Sequence, residues 1–316
     1  MRAVMNAILN VVLPVFGIML AGYLVGRARI LGEDSGRALN GFVYYVALPA
    51  LFFGSMADVP LARIFNWPLI LSFGGGLLVT FLFSIAVALV FFRGRFGEVS
   101  MHGLTAIFSN TGYMGVPLLQ IAFGQQGVLA AVITTVITAV VVIGIGVILL
   151  ETDRHQGSAP RVIARNVSLG LAKNPLILSA LAGILYSWSG LPLPQPVATF
   201  MELTGNAAAP AALFAIGLFM VGKSLTEGMR EVVWISSLKL LVAPLVTAWL
   251  AYSVLGMQGV DAKAAIIQAA LPTGALMFVL AQQYGVYVQR ATSVILVSTV
   301  LSVLTLSALF VLLGVQ

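Results

Sequence analysis

The sequence predicts an all-α integral membrane fold of ten transmembrane helices, arranged as two inverted five-helix repeats. Three observations lead there. Charged residues make up only 8% of the chain and apolar residues 60%, whereas a soluble domain carries about 25% charged residues. No polar coat is therefore left for a water-facing surface. The apolar residues fall into ten runs, each near the roughly 20 residues that a spanning helix needs. Short motifs also recur between the two halves at a spacing of 161 or 162 residues.

The runs cover roughly residues 5–26, 36–57, 66–92, 101–123, 126–150, 173–189, 196–222, 230–255, 262–284 and 290–314. The N-terminus lacks a basic n-region and a clear cleavage site, so the first run reads as a spanning helix. The 32 glycines and 13 prolines suit membrane helices, which tolerate close packing and local breaks. Positive charge sets the orientation. Loops after odd-numbered runs hold Arg27, Arg29, Arg37, Arg93, Arg95, Arg154, Arg161, Arg165, Lys173, Lys223, Arg230 and Arg290. The other side holds Arg2, Arg63 and Lys263. By the positive-inside rule, the odd loops face the cytoplasm and both termini face outside. That describes a multi-pass protein of the cell (inner) membrane. The net charge of +6 is thus a matter of topology, and no patch for nucleic acid forms. The polar stretch 151–172, with Pro160, links the halves 1–150 and 173–316.

The halves resemble each other. Leu20-Ala21-Gly22-Tyr23-Leu24 recurs as Leu181-Ala182-Gly183-Ile184-Leu185, and Pro14 and Pro49 recur as Pro175 and Pro210, all offset by 161. Thr111-Gly112 recurs as Thr273-Gly274, offset by 162. Five helices per half is an odd number, so the second half enters the membrane from the opposite side. Inverted repeats are a mark of secondary transporters, whose sites lie near the bilayer midplane on discontinuous helices.

Two runs are interrupted near their middles. The fourth contains Ser109-Asn110-Thr111-Gly112-Tyr113-Met114-Gly115-Val116-Pro117, and the ninth contains Ala270-Leu271-Pro272-Thr273-Gly274. Proline removes a backbone donor and clashes with the preceding turn, and glycine lowers the cost of unwinding. Such breaks belong where protein or a water-filled cavity surrounds them. The N-terminal end of a half-helix suits an anion. The Asn110 amide can donate to a carboxylate, and Thr111 and Thr273 offer hydroxyls. The candidate substrate-binding residues are therefore Asn110, Thr111, Gly112, Pro117, Pro272, Thr273 and Gly274. The competing reading is a pair of packing kinks, with Asn110 capping a half-helix.

Other chemistries find little support. The chain has no cysteine. Its two histidines, His102 and His155, fall in expected loops or at helix ends. No metal site, cofactor motif or catalytic set is legible, so no enzyme is expected.

The interrupted segments carry a likeness. Asn110-Thr111, followed by Met114-Gly115-Val116-Pro117-Leu118-Leu119, resembles the fourth-helix motif of the auxin efflux carrier family. Gln268-Ala269-Ala270-Leu271-Pro272 in the ninth helix and Leu213-Phe214-Ala215-Ile216-Gly217-Leu218-Phe219-Met220 in the seventh add to it. So do Asn40, Phe42-Val43, Ala47 and Pro49 in the second. The resemblance covers nearly the whole chain. It implies a scaffold of helices one, two, six and seven, and a transport domain of helices three to five and eight to ten. The broken fourth and ninth helices would cross and hold a carboxylate, and an elevator-like shift would carry it across. Asn110 matches a position that touches the carboxylate. The long hydrophilic loop of many plant members is missing here, and Thr273 stands where plant carriers have Gln, so the substrate is left open among malonate-, malate- and auxin-like acids.

Lys239 is the clear basic residue inside a run. It either serves charge balance or coupling, by countering an anion or a helix end, or snorkels to the cytoplasmic surface. Gln120, Gln268 and Gln282 either line the substrate path or bond between helices. Asp58, Glu202 and Asp261 read as solvated residues at outer helix ends, which leaves Lys239 as the one compelling protonatable group near the breaks. The expected partners are a small organic anion and the lipid bilayer, with a homodimer through the scaffold helices as an open candidate. The alternative is an ion-coupled cation exchanger on a related scaffold, which calls for acidic residues beside the breaks.

Overall fold

The computed structural model describes residues 13–57, 59–92, 94–154, 165, 168–169, 172–222 and 228–315. Arg2, Asp58, Arg93, His155, Pro160, Arg161 and Lys223 lie outside the described residues, as does the side chain of Gln282.

Helices account for the regular structure of the described residues, apart from one isolated β-type bridge. Helix α1 is Leu13–Arg27. Helix α2 covers 33–57, as Glu33–Phe42, a π-helical turn Val43–Ala47, and Leu48–Ala57. Helix α3 is Trp67–Val87 with a π-helical end Ala88–Phe92, and α4 is Phe96–Ile107. A π-helical turn Thr111–Gly115 opens α5, which continues from Val116 to Gly124; α6 follows and ends at Arg154. Helix α7 is Pro175–Ser189, α8 is Gln195–Met220 and α9 is Met229–Val254. Helix α10 is Gly259–Ala270, α11 is Leu276–Tyr284 and α12 is Val288–Leu312.

Among the described residues, six stretches are long and apolar enough to cross a membrane unaided, against the ten runs expected. The difference has visible causes. Helix α7 and the described part of α1 have 15 residues each, and the interrupted runs divide into shorter helices. One stretch, Thr111–Leu150, has 40 residues. A straight helix of that length would be about 60 Å long, twice the hydrocarbon thickness. Gly124 resolves this with φ 59° and ψ −142°. That left-handed φ suits glycine, and it folds α6 back along α5. A Cβ on Gly127 would stand 2.2 Å from the Leu119 carbonyl oxygen, and one on Gly112 would stand 3.4 Å from Thr135 Cγ2.

Proline explains three of the π-helical turns. Val43–Ala47, Thr111–Gly115 and Leu238–Val242 each end two residues before a proline: Pro49, Pro117 and Pro244. A proline inside an α-helix lacks the N–H for the carbonyl four residues back and presses on it. The residue before each proline instead bonds five residues back: Leu48 to Val43, Val116 to Thr111, Ala243 to Leu238. The wider turn relieves the clash without ending the helix.

The surface is inverted relative to a soluble protein. Helix α3 buries Ser72, Thr80 and Ser84 and exposes Leu71, Leu78, Leu82 and Val90. Two of the three hydroxyls bond back to helix carbonyls, Thr80 to Gly76 at 2.7 Å and Ser72 to Leu69 at 3.2 Å, while that of Ser84 is buried without a partner. Such a face suits lipid.

The helices pack in two groups. In the first, α1 lies on α8 and α7 lies on α2. Small residues let the backbones touch. A Cβ on Gly22 would stand 2.2 Å from the Phe214 carbonyl oxygen, and one on Gly183 would stand 2.7 Å from that of Phe53. In the second group α3, α4, α6, α9, α10 and α12 pack together. The groups meet where the Thr111–Gly115 turn touches the Ala208–Met220 part of α8.

Candidate functional site

The two interruptions cross. Helix α4 ends at Ile107 and α10 at Ala270, and the extended residues that follow pair as an antiparallel bridge, Ser109 with Thr273. The Asn110 N–H donates to the Pro272 carbonyl at 2.9 Å, and the Gly274 N–H donates to the Phe108 carbonyl at 3.0 Å. Gly274 permits the approach: a Cβ there would lie 2.6 Å from Phe108 Cε1 and 3.3 Å from Asn110 Cα.

Four helix ends therefore meet: the C-termini of α4 and α10 and the N-termini of α5 and α11. Each C-terminus carries a partial negative charge and unpaired carbonyls. Both are answered from within the protein. The Thr273 hydroxyl donates to the Thr105 carbonyl of α4 at 3.0 Å, while Ser298 Oγ accepts the Thr273 N–H at 3.1 Å. Lys239 donates from Nζ to the Ala269 carbonyl of α10 at 2.5 Å and is fully buried. Snorkelling is thereby overturned. The ammonium points into the bundle and serves a helix end. The hydroxyl proton of Thr273 is likewise committed, which leaves only its lone pairs for another group.

The N-terminal side is left open. The Asn110 side chain forms no cap to its own half-helix, which removes the competing reading of that residue. It is 9% exposed, so a small group can reach it. The Asn110 carbonyl accepts the N–H groups of Met114 and Gly115 at 3.1 and 3.0 Å, so the first amides of the turn, at Gly112 and Tyr113, have no helical acceptor. Thr111, Gly112 and Pro117 are buried at this end. No carboxylate belongs to the described residues of either break.

Gln268 is fully buried, and neither its Oε1 nor its Nε2 has a hydrogen-bond partner. Its carboxamide faces the turn of α5, where a Cβ on Gly115 would fall 2.1 Å from Oε1. Ser109 Oγ and Thr105 Oγ1 are also buried and unpartnered. Gln120 is half-buried in α5.

A cavity of about 590 Å³ opens between the two groups of helices. Its rim carries Arg63, Asn66, Gln126, Glu202 and Asp261, with Asp261 accepting from Asn66 Nδ2 at 2.7 Å and Gln126 Nε2 at 3.4 Å. Its apolar wall includes Ala50 and Ile133. Each lies two residues from a group facing Gly112, namely Leu48 and Thr135.

A second polar cluster lies where α4, α9 and α12 meet, and sequence reasoning missed it. His102 is in the body of α4 and fully buried, not in a loop. Its Nδ1 is 2.7 Å from Glu231 Oε1 of α9. The Tyr287 hydroxyl donates to the same oxygen at 2.5 Å, and Arg290 Nη1 lies 3.2 Å from Oε2. Burial, and then the Glu231 charge, push the Tyr287 phenol well up, so it stays a neutral donor. The partners are 129 and 56 residues apart, and no local spacing signals the contact.

A helical bundle with apolar outer faces and a set of buried polar groups at two crossed interruptions has the architecture of a membrane transporter. Residues 7–310 match the family described as membrane transport protein, the auxin efflux carrier family, and the chain belongs to it. A proposed malonate transporter of Rhizobium meliloti (strain 1021) is 32% identical over 309 residues, covering 96% of this chain and 95% of that protein. An uncharacterized transporter of Methanothermobacter thermautotrophicus is 28% identical over 298 residues, covering 93% and 95%. Auxin efflux carrier component 1 of Arabidopsis thaliana is 30% identical over 161 residues, covering 49% of this chain and 26% of that one. These relatives are named as transporters or carriers, and the chain is a transporter rather than an enzyme.

Proposed function

We propose that the protein is a secondary transporter of a small organic anion, a mono- or dicarboxylate, held at the crossed helix ends. The observation that carries this is Asn110. Its carboxamide is unengaged and reachable, at the mouth of a half-helix whose first amides lack acceptors. Two helix N-termini and the buried Lys239 make the crossing electropositive. The name of the Rhizobium meliloti relative puts malonate first among the acids to test. The absence of carboxylates from the described residues of the breaks speaks against the cation-exchanger reading.

In this reading α1, α2, α7 and α8 form a scaffold, and the other helices carry the substrate past it by an elevator-like shift. The inverted repeat is supported by packing. Gly22 touches Phe214 and Gly183 touches Phe53, and both members of the first contact are offset by 161 residues from those of the second. The cavity rim belongs to the side assigned as outer, along with both termini, in the cell inner membrane.

The test is uptake of labelled malonate, malate, lactate and indole-3-acetate into proteoliposomes, for the wild type and Asn110→Ala. The variant loses no hydrogen bond that holds the fold. It is expected to keep its melting temperature and to bind the transported acid at least tenfold more weakly, as one or two charge-assisted bonds are lost. Unchanged affinity in the folded variant removes the crossing as the site.

A further inference from the structure

We propose that His102, held by Glu231, is a proton-binding site, and that one proton bound at its Nε2 travels with the acid in each cycle. This rests on the transport reading above and adds the coupling ion to it.

The geometry sets the protonation state. Glu231 is met by Arg290, by the Tyr287 hydroxyl and by His102 Nδ1. A carboxylate accepts only, so Nδ1 carries a hydrogen and donates. With a neutral ring, the cluster of Glu231, Arg290 and His102 has no net charge. The Nε2 atom is buried and has no partner. As a lone pair it tolerates that isolation. As the N–H of an imidazolium it would be a buried charged donor without an acceptor, which is far more costly. The ring is therefore unprotonated in this conformation. It takes up a proton when water reaches Nε2; the Phe92 ring packs beside the imidazole, 5.3 Å away between centroids.

The charged groups around the ring allow this. Glu231 of α9 faces it directly, the Tyr287 hydroxyl lies 3.5 Å from Nδ1, and Arg290 of α12 sits behind them on the other oxygen of Glu231. Glu98 lies one turn earlier on α4, where it accepts the Arg95 N–H at 3.1 Å. Asp153 of α6 accepts the Gly97 N–H at 3.0 Å. Glu231, 2.7 Å from Nδ1, is the carboxylate that compensates an added positive charge on the ring.

The cluster is connected to the crossing. Helix α4 runs from His102 to its end at Ile107, just before the Ser109 bridge, a path of about 10 Å. A proton on His102 places a unit charge that far from the anion. At an effective dielectric constant of about 20, it tightens anion binding on the order of tenfold. Linkage makes this reciprocal: the bound acid raises the proton affinity of His102 by the same factor. Proton and acid then bind together and move together. The balance is one proton taken from water at Nε2 on one side and returned to water on the other.

The experiment uses the full chain in proteoliposomes with malonate as probe and a trapped pH dye. The wild type is expected to accumulate malonate when the outside is acidic, with acidification of the lumen, and to bind malonate about tenfold more tightly near pH 6.5 than near pH 8.5. His102→Asn keeps a donor near the Nδ1 position and removes the basic nitrogen. It is expected to exchange malonate with an affinity fixed near the wild-type high-pH value and to lose pH-driven accumulation. Pronounced pH-driven accumulation in that variant, or wild-type exchange indifferent to pH, overturns the proton site and leaves the transport reading standing. Failure to exchange any acid overturns both. The chain has two histidines, so ¹⁵N-histidine spectra of His155→Gln report His102 alone in an otherwise native site. A ring that takes up a proton when saturating malonate is added at constant pH supports the proposal. A ring whose protonation is constant from about pH 5 to about pH 9 overturns it.

Discussion

Replacing Lys239 by Met isolates what its charge does. The side chains are similar in length, and the site is fully enclosed. The variant loses a charged hydrogen bond to the Ala269 carbonyl, a loss of about 1.5–3 kcal/mol. It also removes a buried ammonium, which recovers a desolvation penalty of several kcal/mol. These terms nearly cancel, so the expected stability change stays within about 3 kcal/mol of zero. The effect on an anion does not cancel. Ala269 is followed by one helical residue and then by extended backbone to Pro272, which places the ammonium on the order of 8 Å from the crossing. Unit charges at that distance and an effective dielectric constant of about 20 attract by about 2 kcal/mol. Malonate affinity should then fall about 30-fold. The assay is direct binding to the purified protein beside a thermal melt. A folded Lys239→Met variant whose malonate affinity stays within about threefold of wild type refutes the electrostatic role and reduces Lys239 to a helix cap.

Two further substitutions test the crossing itself. Gly274→Ala places a methyl group against Phe108 and Asn110; it should weaken the fold by about 1–3 kcal/mol and reduce transport in vesicle assays, and a variant with native melting and uptake would show that the backbones need not approach so closely. Gln268→Met removes a buried carboxamide with no partner; the melting temperature should rise, since about 1–3 kcal/mol of unmet hydrogen bonding disappears, while uptake falls if that amide meets the anion or its water.

Much of the fold was legible because lipid simplifies the code. Apolar runs marked the helices, and the breaks announced themselves through Pro117, Pro272 and the glycines beside them. The proline spacing could also have foretold the π-helical turns, since each stands just ahead of Pro49, Pro117 or Pro244. What stayed hidden was pairing at long range. Lys239 carries no mark in its own helix of the Ala269 carbonyl that it caps, 30 residues away. His102 sits in a stretch that reads as a helix end, and its partners come from α9 and the α11–α12 connection. Glu231 carries no local mark of its burial, as an acid near the start of a helix usually faces water. Burial of these groups depends on which faces the bundle brings together, and helical periodicity does not encode that.

The contacts of Gly22 and Gly183 have a consequence for how the chain is made. Each helix leans on a backbone from the opposite half: α1 on α8, and α7 on α2. During synthesis α1 enters the membrane long before Phe214 exists, so the notch at Gly22 faces lipid or a chaperone while most of the protein is still being translated. The first half cannot close on itself and wait. Its final shape is a clasp completed by late-arriving partners, and maturation is therefore gated by the emergence of α8.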